Sequence, residues 1–296
     1  MKLTQRGFAR LICSEGNMLV DPALFGRVTQ DMSRPLTEYW FASSHNTYLE
    51  GNQLSGRSSV LQYVHALNRG CRCIEIDAWD GLDGEPRVTH GYTATSAVHF
   101  EDVVKAVADH AFRVSRYPLV ISIEQQCTQA KQLQRQGDIM SRIFQERLLR
   151  PPWNAETKEV EWEKATIPSP HDAMEKIIVK SSVCRCPRCK QNLETYNRCI
   201  FMPTMKYKLE NHEMDGFLQS GTLSTGRTKS HCSSFTEAKM ERWAKIETEK
   251  VGSLFRMQQW HQVFFSRTYP KATRVGSSNY DPVGPWAAGV QMVALN

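Results

Sequence analysis

Glu75 and Asp77 stand two residues apart in the apolar run Cys73-Ile74-Glu75-Ile76-Asp77. In extended backbone, side chains two apart leave the same strand face, so the carboxylates lie together while Ile74 and Ile76 point the other way. Carboxylates held that close repel unless a cation or a proton lies between them. One reading is a hard-metal site, in which Glu124 and the side-chain carbonyl of Asn46 add the all-oxygen ligation that calcium accepts. The other is a solvated strand end neutralised by salt bridges, and the spacing alone is compatible with both. Two histidines have related settings. His45 in Ser43-Ser44-His45-Asn46-Thr47 and His90 in Thr89-His90-Gly91-Tyr92-Thr93 each follow an apolar run and sit among small or polar residues. An imidazole changes charge near neutral pH, so such a pair suits acid–base or charge-stabilising work, although a lone histidine is more often structural. Two histidines with three carboxylates are the mixture of groups that phosphoryl transfer requires.

Cys184, Cys186, Cys189 and Cys199 form a second cluster. Four thiolates make either a closed tetrahedral zinc site or a set of reduced, unligated thiols, and the spacing is not the regular pair of Cys-x2-Cys knuckles. Cys71 and Cys73, inside an apolar run, read as core. Dinucleotide-binding Gly-x-Gly-x-x-Gly, a Walker lysine loop, His-Glu-x-x-His and Gly-x-Ser-x-Gly are all missing, which argues against nucleotide-dependent enzymes, zincins and serine hydrolases.

The elements that must position these residues alternate between short apolar runs and helix-period segments from about Trp40 to Lys180. Strands are expected at 39–43, 71–77, 87–89, 119–124 and 176–180. Amphipathic stretches lie between them, carrying Val60, Leu61, Val64 and Leu67, then Phe100, Val103, Val104 and Val107, then Ile139, Ile143, Phe144 and Leu148. This is the pattern of repeated strand–helix units and a parallel sheet. Nearly every expected strand ends in a residue able to do chemistry: His45 and Asn46, Glu75 and Asp77, His90, Glu124, Lys180. In a parallel barrel those ends gather at one rim, where active sites sit. Residues 184–230 lose the periodicity and read as a linker or insertion, with eight Lys/Arg against four Asp/Glu. Helices are expected again at about 236–250 and 255–265, and a last strand at 290–295.

With 296 residues, 41% hydrophobic, 23% charged and a net charge of +6, the chain has the composition of an ordinary globular protein. The start of the chain is too short and interrupted in apolar character for a secretory signal, and no apolar run reaches the length of a membrane helix. Lys2 excludes N-myristoylation, and Ala294-Leu295-Asn296 lacks a prenylation cysteine, so membrane contact is expected to be peripheral. Nine cysteines without a signal peptide point to reduced thiols and a cytoplasmic setting. Nucleic acid is not an expected partner, since there is no basic run and no zinc-finger or RNA-binding motif.

The segments Ser43-Ser44-His45-Asn46-Thr47-Tyr48-Leu49, Gly70 to Gly81 and His90-Gly91-Tyr92-Thr93 resemble the X half of eukaryotic phosphoinositide-specific phospholipase C. Ser266 to Lys271, Ser277-Ser278-Asn279-Tyr280 and Gly289 to Asn296 resemble its Y half. The resemblance implies an α/β fold, a TIM-like (β/α)8 barrel, incomplete at its C-terminal end because the family continues beyond Asn296. It divides the chain into 1–39, the tail of a helical EF-hand-like region; 40–183, the X half; 184–230, a cysteine-containing basic linker; and 231–296, a truncated Y half. It implies calcium-dependent hydrolysis of phosphatidylinositol 4,5-bisphosphate, or a related phosphoinositide, to diacylglycerol and inositol phosphate through a cyclic phosphate, at the inner leaflet of a membrane. Asn46, Glu75, Asp77 and Glu124 match the calcium ligands. His45 matches the histidine that stabilises the phosphate and His90 the acid for the leaving group, with Glu75 or Glu124 as base. Lys180, Ser234 and Arg267 match headgroup phosphate contacts, and Tyr269 the residue packed on the sugar ring.

The chain departs from the family at several positions. Ser182 replaces a second lysine. Leu54 and Tyr92 keep part of an apolar rim, while Ala94, Glu241 and Thr273 replace larger apolar residues. The linker is basic where those of many relatives are acidic. The missing end and the lost lysine leave a second expectation, a catalytically impaired phosphoinositide-binding or scaffold module. Protein activators cannot be inferred.

Overall fold

The computed structural model describes residues 4–17, 28–183, 193–205, 229–242 and 253–296. It divides into two units, Met1–Ser33 and Arg34–Asn296. In the first, helix α1 (Gln5–Ile12) starts where the Thr4 hydroxyl accepts the Gly7 N–H, and it leaves Phe8, Leu11 and Ile12 exposed.

The second unit is built on eight parallel strands: β1 (Phe41–Ser44), β2 (Cys73–Trp79), β3 (Leu119–Gln125), β4 (Ile177–Ser181), β5 (Ile200–Pro203), β6 (Cys232–Thr236), β7 (Phe265–Tyr269) and β8 (Met292–Leu295). Neighbours in the chain are neighbours in the sheet, and β8 returns to pair with β1, Phe41 against Met292 through Ser44 against Leu295. Seven seams are strand pairings; the eighth, between β5 and β6, narrows to the parallel bridge between Thr204 and Cys232. The barrel is therefore nearly closed. The expected incompleteness falls on this seam rather than on a missing strand, since Met292–Leu295 supplies the eighth.

Its interior is layered by the two-residue period of the strands. Phe41, Cys73, Val120, Ile178, Met202, Cys232, Phe265 and Met292, one side chain from each strand, pack with Leu36 into an apolar floor. Two residues further along the same faces come Ser43, Glu75, Ser122, Lys180, Ser234 and Arg267, so the core turns polar toward the C-terminal ends of the strands. The intervening residues Ile74, Ile76, Ile121, Ile123, Ile177 and Val179 face outward, beneath the surrounding helices.

Helices α2 (Val60–Asn68), α3 (Phe100–His110) and α4 (Ala130–Phe144) cover that outer face with Tyr63 and Leu67, with Phe100, Val103, Val104 and Val107, and with Ile139, Met140 and Phe144. Tyr63, not Leu61, belongs to the buried stripe of α2; Leu61 is exposed. α5 (Glu194–Asn197) lies so close to α4 that a Cβ on Gly137 would fall 2.5 Å from the Tyr196 nitrogen. α6 (Ser253–Val263) and α7 (Val283–Ala287) precede β7 and β8.

Two sequence expectations are corrected. The strand expected at 87–89 is not part of the ring. Arg87–Val88 pairs antiparallel with the end of β2 and with Val98–His99, because seven residues after Trp79 are too few for a parallel crossover. Within the stretch read as linker, Ile200–Pro203 is a barrel strand, and Cys199 is wholly buried, its Sγ against the Thr195 and Gly137 carbonyls. Cys184, Cys186 and Cys189 lie outside the described residues, as does most of the helix expected at 236–250. Among the described residues, no helix is long and apolar enough to cross a membrane.

Candidate active site

The C-terminal ends of the strands bring Glu75, Asp77 and Glu124 together, with one carboxylate oxygen from each within 4.8 Å of the others. Two oxygens bound to one ion at about 2.3–2.6 Å lie no more than about 5 Å apart, so the three fit a shared metal ion. Two further observations agree. Glu75 Oε1 and Asp77 Oδ1 are buried with no hydrogen-bond partner among the described residues. The electrostatics are also left unbalanced. Burial, then Glu75 and Glu124, push Asp77 well above the usual carboxylate range, and Glu75, then burial, raise Glu124. Burial would raise Glu75 too, but Arg267, His45 and the Asn46 N–H outweigh it and hold that carboxyl down. Among the described residues this is the group of three or more ligating side chains capable of holding a metal; of the cysteine cluster only Cys199 is among them, and it belongs to no such group.

Glu75 is fixed from several sides. The Thr47 hydroxyl accepts its N–H at 3.0 Å, the Tyr63 hydroxyl donates to its carbonyl at 2.8 Å, and its Oε2 accepts the Asn46 N–H at 2.7 Å. Tyr48 donates to Asp77 Oδ2 at 2.7 Å. Asn46 adopts φ +43°, a left-handed turn that asparagine tolerates, just beyond β1. Its Nδ2 donates to Gln53 Oε1 at 2.7 Å, which leaves Oδ1 as its free acceptor end.

The histidines stand on either side. His45 Nδ1 pairs with Asn296 Oδ1 at 2.7 Å, and its Nε2 is 4.0 Å from Glu75 Oε2. Burial lowers the imidazole below its ordinary value, against the pull of Glu75. The Tyr269 ring lies parallel to it at 6.2 Å. His90 Nδ1 donates to the Gln53 carbonyl at 2.6 Å, so its Nε2 is the uncommitted nitrogen. Its loop is tied in by Thr93 and Thr95, whose hydroxyls donate to the His90 carbonyl. Gly91 gives this loop its path, since a Cβ there would fall 1.8 Å from the Trp79 ring.

Inside the barrel, Arg267 is fully buried and its Nη2 is 2.8 Å from Glu75 Oε2; its Nε and Nη1 have no partner among the described residues. Ser234 Oγ is likewise buried and unpartnered. Lys180 Nζ donates to Ser122 Oγ at 3.0 Å. Guanidinium and hydroxyl donors without acceptors suit an anion. Ser182 is exposed and adds no charge. At the rim, Leu54 and Tyr92 are exposed, their loops joined by Ala94 N–H to the Leu54 carbonyl at 2.9 Å, and Ala94, Glu241 and Thr273 are exposed as well. A separate cavity of about 620 Å³, lined by Thr37, Trp40, His261, Trp286, Gly289 and Gln291 among others, lies at the opposite end, beside the starts of β1 and β8.

Every described site residue expected from the sequence thus gathers at one end of the barrel, except Cys199, which is buried between α4 and α5. Sequence reasoning missed Tyr48, Gln53, Ser122 and Asn296, which act by holding other residues and carry no signal of their own.

The family model for phosphatidylinositol-specific phospholipase C, X domain, matches residues 32–183, more than half the chain. The chain belongs to that family. The corresponding Y-domain model matches residues 206–296 of this phospholipase C family member. The chain is 34% identical over 338 residues to the 1-phosphatidylinositol 4,5-bisphosphate phosphodiesterase delta-4 of Homo sapiens and 33% over 343 residues to the beta-1 protein of Mus musculus. These alignments cover 99% and 98% of the chain but 41% and 27% of the relatives, so it spans well under half their length. Its structure superposes on that of L. pealei PLC21 with a TM-score of 0.79 at 30% identity, covering 99% of this chain and 38% of the other. A phospholipase C of Pseudomonas sp shares the fold alone, with a TM-score of 0.53 at 13% identity, covering 90% of this chain and 92% of the other.

Proposed function

We propose that the chain is the catalytic barrel of a calcium-dependent phosphoinositide phospholipase C, splitting phosphatidylinositol 4,5-bisphosphate or a related phosphoinositide into diacylglycerol and inositol phosphate. The observation that carries this reading is the conjunction, at one end of the barrel, of unpartnered carboxylate oxygens on Glu75 and Asp77 with unpartnered donors on Arg267 and Ser234, flanked by two histidines. An anionic substrate and a divalent cation would satisfy both sets at once. The relatives named as 4,5-bisphosphate phosphodiesterases support the same substrate class.

Asn46, Glu75, Asp77 and Glu124 would hold calcium, which when bound offsets phosphate charge and acidifies the inositol 2-hydroxyl. Glu124, half-buried, or Glu75 takes the 2-hydroxyl proton as that oxygen attacks phosphorus. Beside the phosphate, His45 in its doubly protonated form donates from Nε2 to a phosphate oxygen, while Asn296 accepts its Nδ1 proton and fixes the ring. His90, oriented through Nδ1, gives the proton at Nε2 to the departing diacylglycerol oxygen. In the second half, His90 takes a proton from water, which attacks the cyclic phosphate, and the carboxylic acid returns its proton to the 2-oxygen. Lys180, Ser234 and Arg267 bind ring phosphates while Tyr269 covers one face of the sugar. Leu54 and Tyr92 contact the lipid surface, giving a cytoplasmic protein peripheral to the membrane.

The test is release of water-soluble inositol phosphate from phosphoinositide vesicles as calcium is titrated from chelator to millimolar. The parent chain should release product with calcium, and His45→Ala and His90→Ala should each lose about a hundredfold or more. Vesicle binding by folded parent protein without any release would overturn the enzymatic reading in favour of a headgroup-binding module.

A further inference from the structure

Gln53 is bonded to Asn46, to His90 and to the Asn296 that holds His45, without being able to do chemistry itself. It lies buried in the loop after β1. Its N–H donates to the Val275 carbonyl at 2.8 Å, and its carbonyl accepts His90 Nδ1 at 2.6 Å. Its side chain receives the Asn46 amide at Oε1, 2.7 Å away, and donates from Nε2 to Ser277 Oγ at 2.9 Å and to Asn296 Oδ1 at 3.3 Å.

The polarity of this series is fixed at one end. Asn296 Nδ2 donates at 3.1 Å to the Ser278 backbone carbonyl, which can only accept. Asn296 must therefore turn its oxygen to the opposite side, where both His45 Nδ1 and Gln53 Nε2 have to donate to it. With its nitrogen so committed, Gln53 presents Oε1 to Asn46, which must give its own nitrogen in return. The Asn46 atom left over is the oxygen. Reversing any one amide sets oxygen against oxygen or N–H against N–H along the whole series, and in a buried network such a mismatch is costly.

We infer that Gln53 is a positioning residue: an amide relay running from the Ser278 carbonyl through Asn296 and Gln53 to Asn46 makes the oxygen of Asn46, rather than its nitrogen, the atom offered to a cation. The inference rests on the calcium-dependent reading above and adds to it a residue outside the ligand set. It also ties the ligand to the histidine across the site, because Asn296 Oδ1 serves His45 and Gln53 together.

Two substitutions of similar size separate the ends of the relay. Gln53→Leu removes both, so the Asn46 amide is free to turn. Calcium affinity of the full chain, measured by titration calorimetry, should weaken about tenfold or more, with the lipid KM unchanged and kcat largely regained at saturating calcium. Gln53→Glu keeps an acceptor for Asn46 but sets a second oxygen against Asn296 Oδ1. Calcium should bind no more weakly than in the parent, while kcat falls even at saturation. General loosening of the loop would give the same loss in both variants; that result, or parent-like calcium affinity in folded Gln53→Leu, would overturn the assignment. Should the parent bind no calcium, the functional reading fails, and the relay is then tested in the metal-free protein by NMR. The Gln53 amide protons should show contacts to the Ser277 β protons, and the Asn46 amide protons to the Gln53 γ protons; the opposite pattern refutes the relay.

Discussion

Glu75 and Arg267 meet at 2.8 Å in the interior of the barrel, both withdrawn from solvent. Burial disfavours each charge alone, yet Glu75 raises Arg267 and Arg267 lowers Glu75, so the pair is ionised by mutual support. Breaking one partner leaves the other charged and unpaired. Arg267→Met should therefore cost about 3–5 kcal/mol of stability and lower kcat/KM by at least about a hundredfold. The double variant Arg267→Met, Glu75→Gln should recover part of the stability and none of the activity, as read by denaturant melts and vesicle assays.

Without a cation, three carboxylates face one another and two of them are pushed up, Asp77 by burial and then its neighbours, Glu124 by Glu75 and then burial. Calcium at about a hundred times its dissociation constant should raise Tm by roughly 5 °C, and chelator should abolish the gain. Asp77→Asn should melt higher than the parent in chelator and respond less to calcium, as scanning calorimetry would record. An equal calcium response in parent and variant would count against the carboxylate group as the binding site.

His261, on α6 and facing the turn after α7, is buried and donates from Nδ1 to the Ala288 carbonyl. Burial lowers it to about 4. Its folded value lies below its unfolded value of about 6.5, so the fold binds fewer protons there than the unfolded chain, and the stability it confers is present above about pH 6.5 and lost as pH falls toward 4. The loss should reach about 3 kcal/mol. His261→Gln should flatten this part of the pH–Tm curve, and a parent curve level between pH 6.5 and 4 would contradict the assignment.

Ser182 stands exposed at the end of β4, two residues beyond Lys180, whose amine is held by Ser122. Ser182→Lys adds a cation at the mouth of the barrel. Turnover of phosphatidylinositol 4,5-bisphosphate relative to phosphatidylinositol should rise about three- to tenfold, mainly through KM. An unchanged ratio in mixed vesicles would remove position 182 from substrate choice.

The first four barrel strands were legible because each is a short apolar run set between amphipathic helices, and because Glu75, Asp77 and Glu124 interrupt those runs at their ends. The next three were not. β5 has four residues, ending in Pro203, and lies in a stretch without periodicity. β6, Cys-Ser-Ser-Phe-Thr, and β7, Phe-Ser-Arg-Thr-Tyr, carry polar residues that a local pattern assigns to solvent. Of these, Ser234 and Arg267 face the polar upper layer of the barrel while Ser266 and Thr268 turn to Gln291 and Tyr280, and Arg267 is tolerated inside only because Glu75, far away in sequence, is beside it. The relay failed to show for the same reason. Gln53 and Asn296 are 243 positions apart, and neither residue type suggests a site by itself.

The apolar floor also determines traffic. Eight side chains, one per strand, stopper the barrel below Glu75, so the chamber is a cul-de-sac rather than a tube. In the proposed reaction the ion, headgroup and attacking water would all come in through the mouth, and the inositol phosphate would leave through it as well. A mouth pressed against a lipid surface would then be blocked by its own docking, and each turnover would require the protein to lift or tilt before the next headgroup could enter.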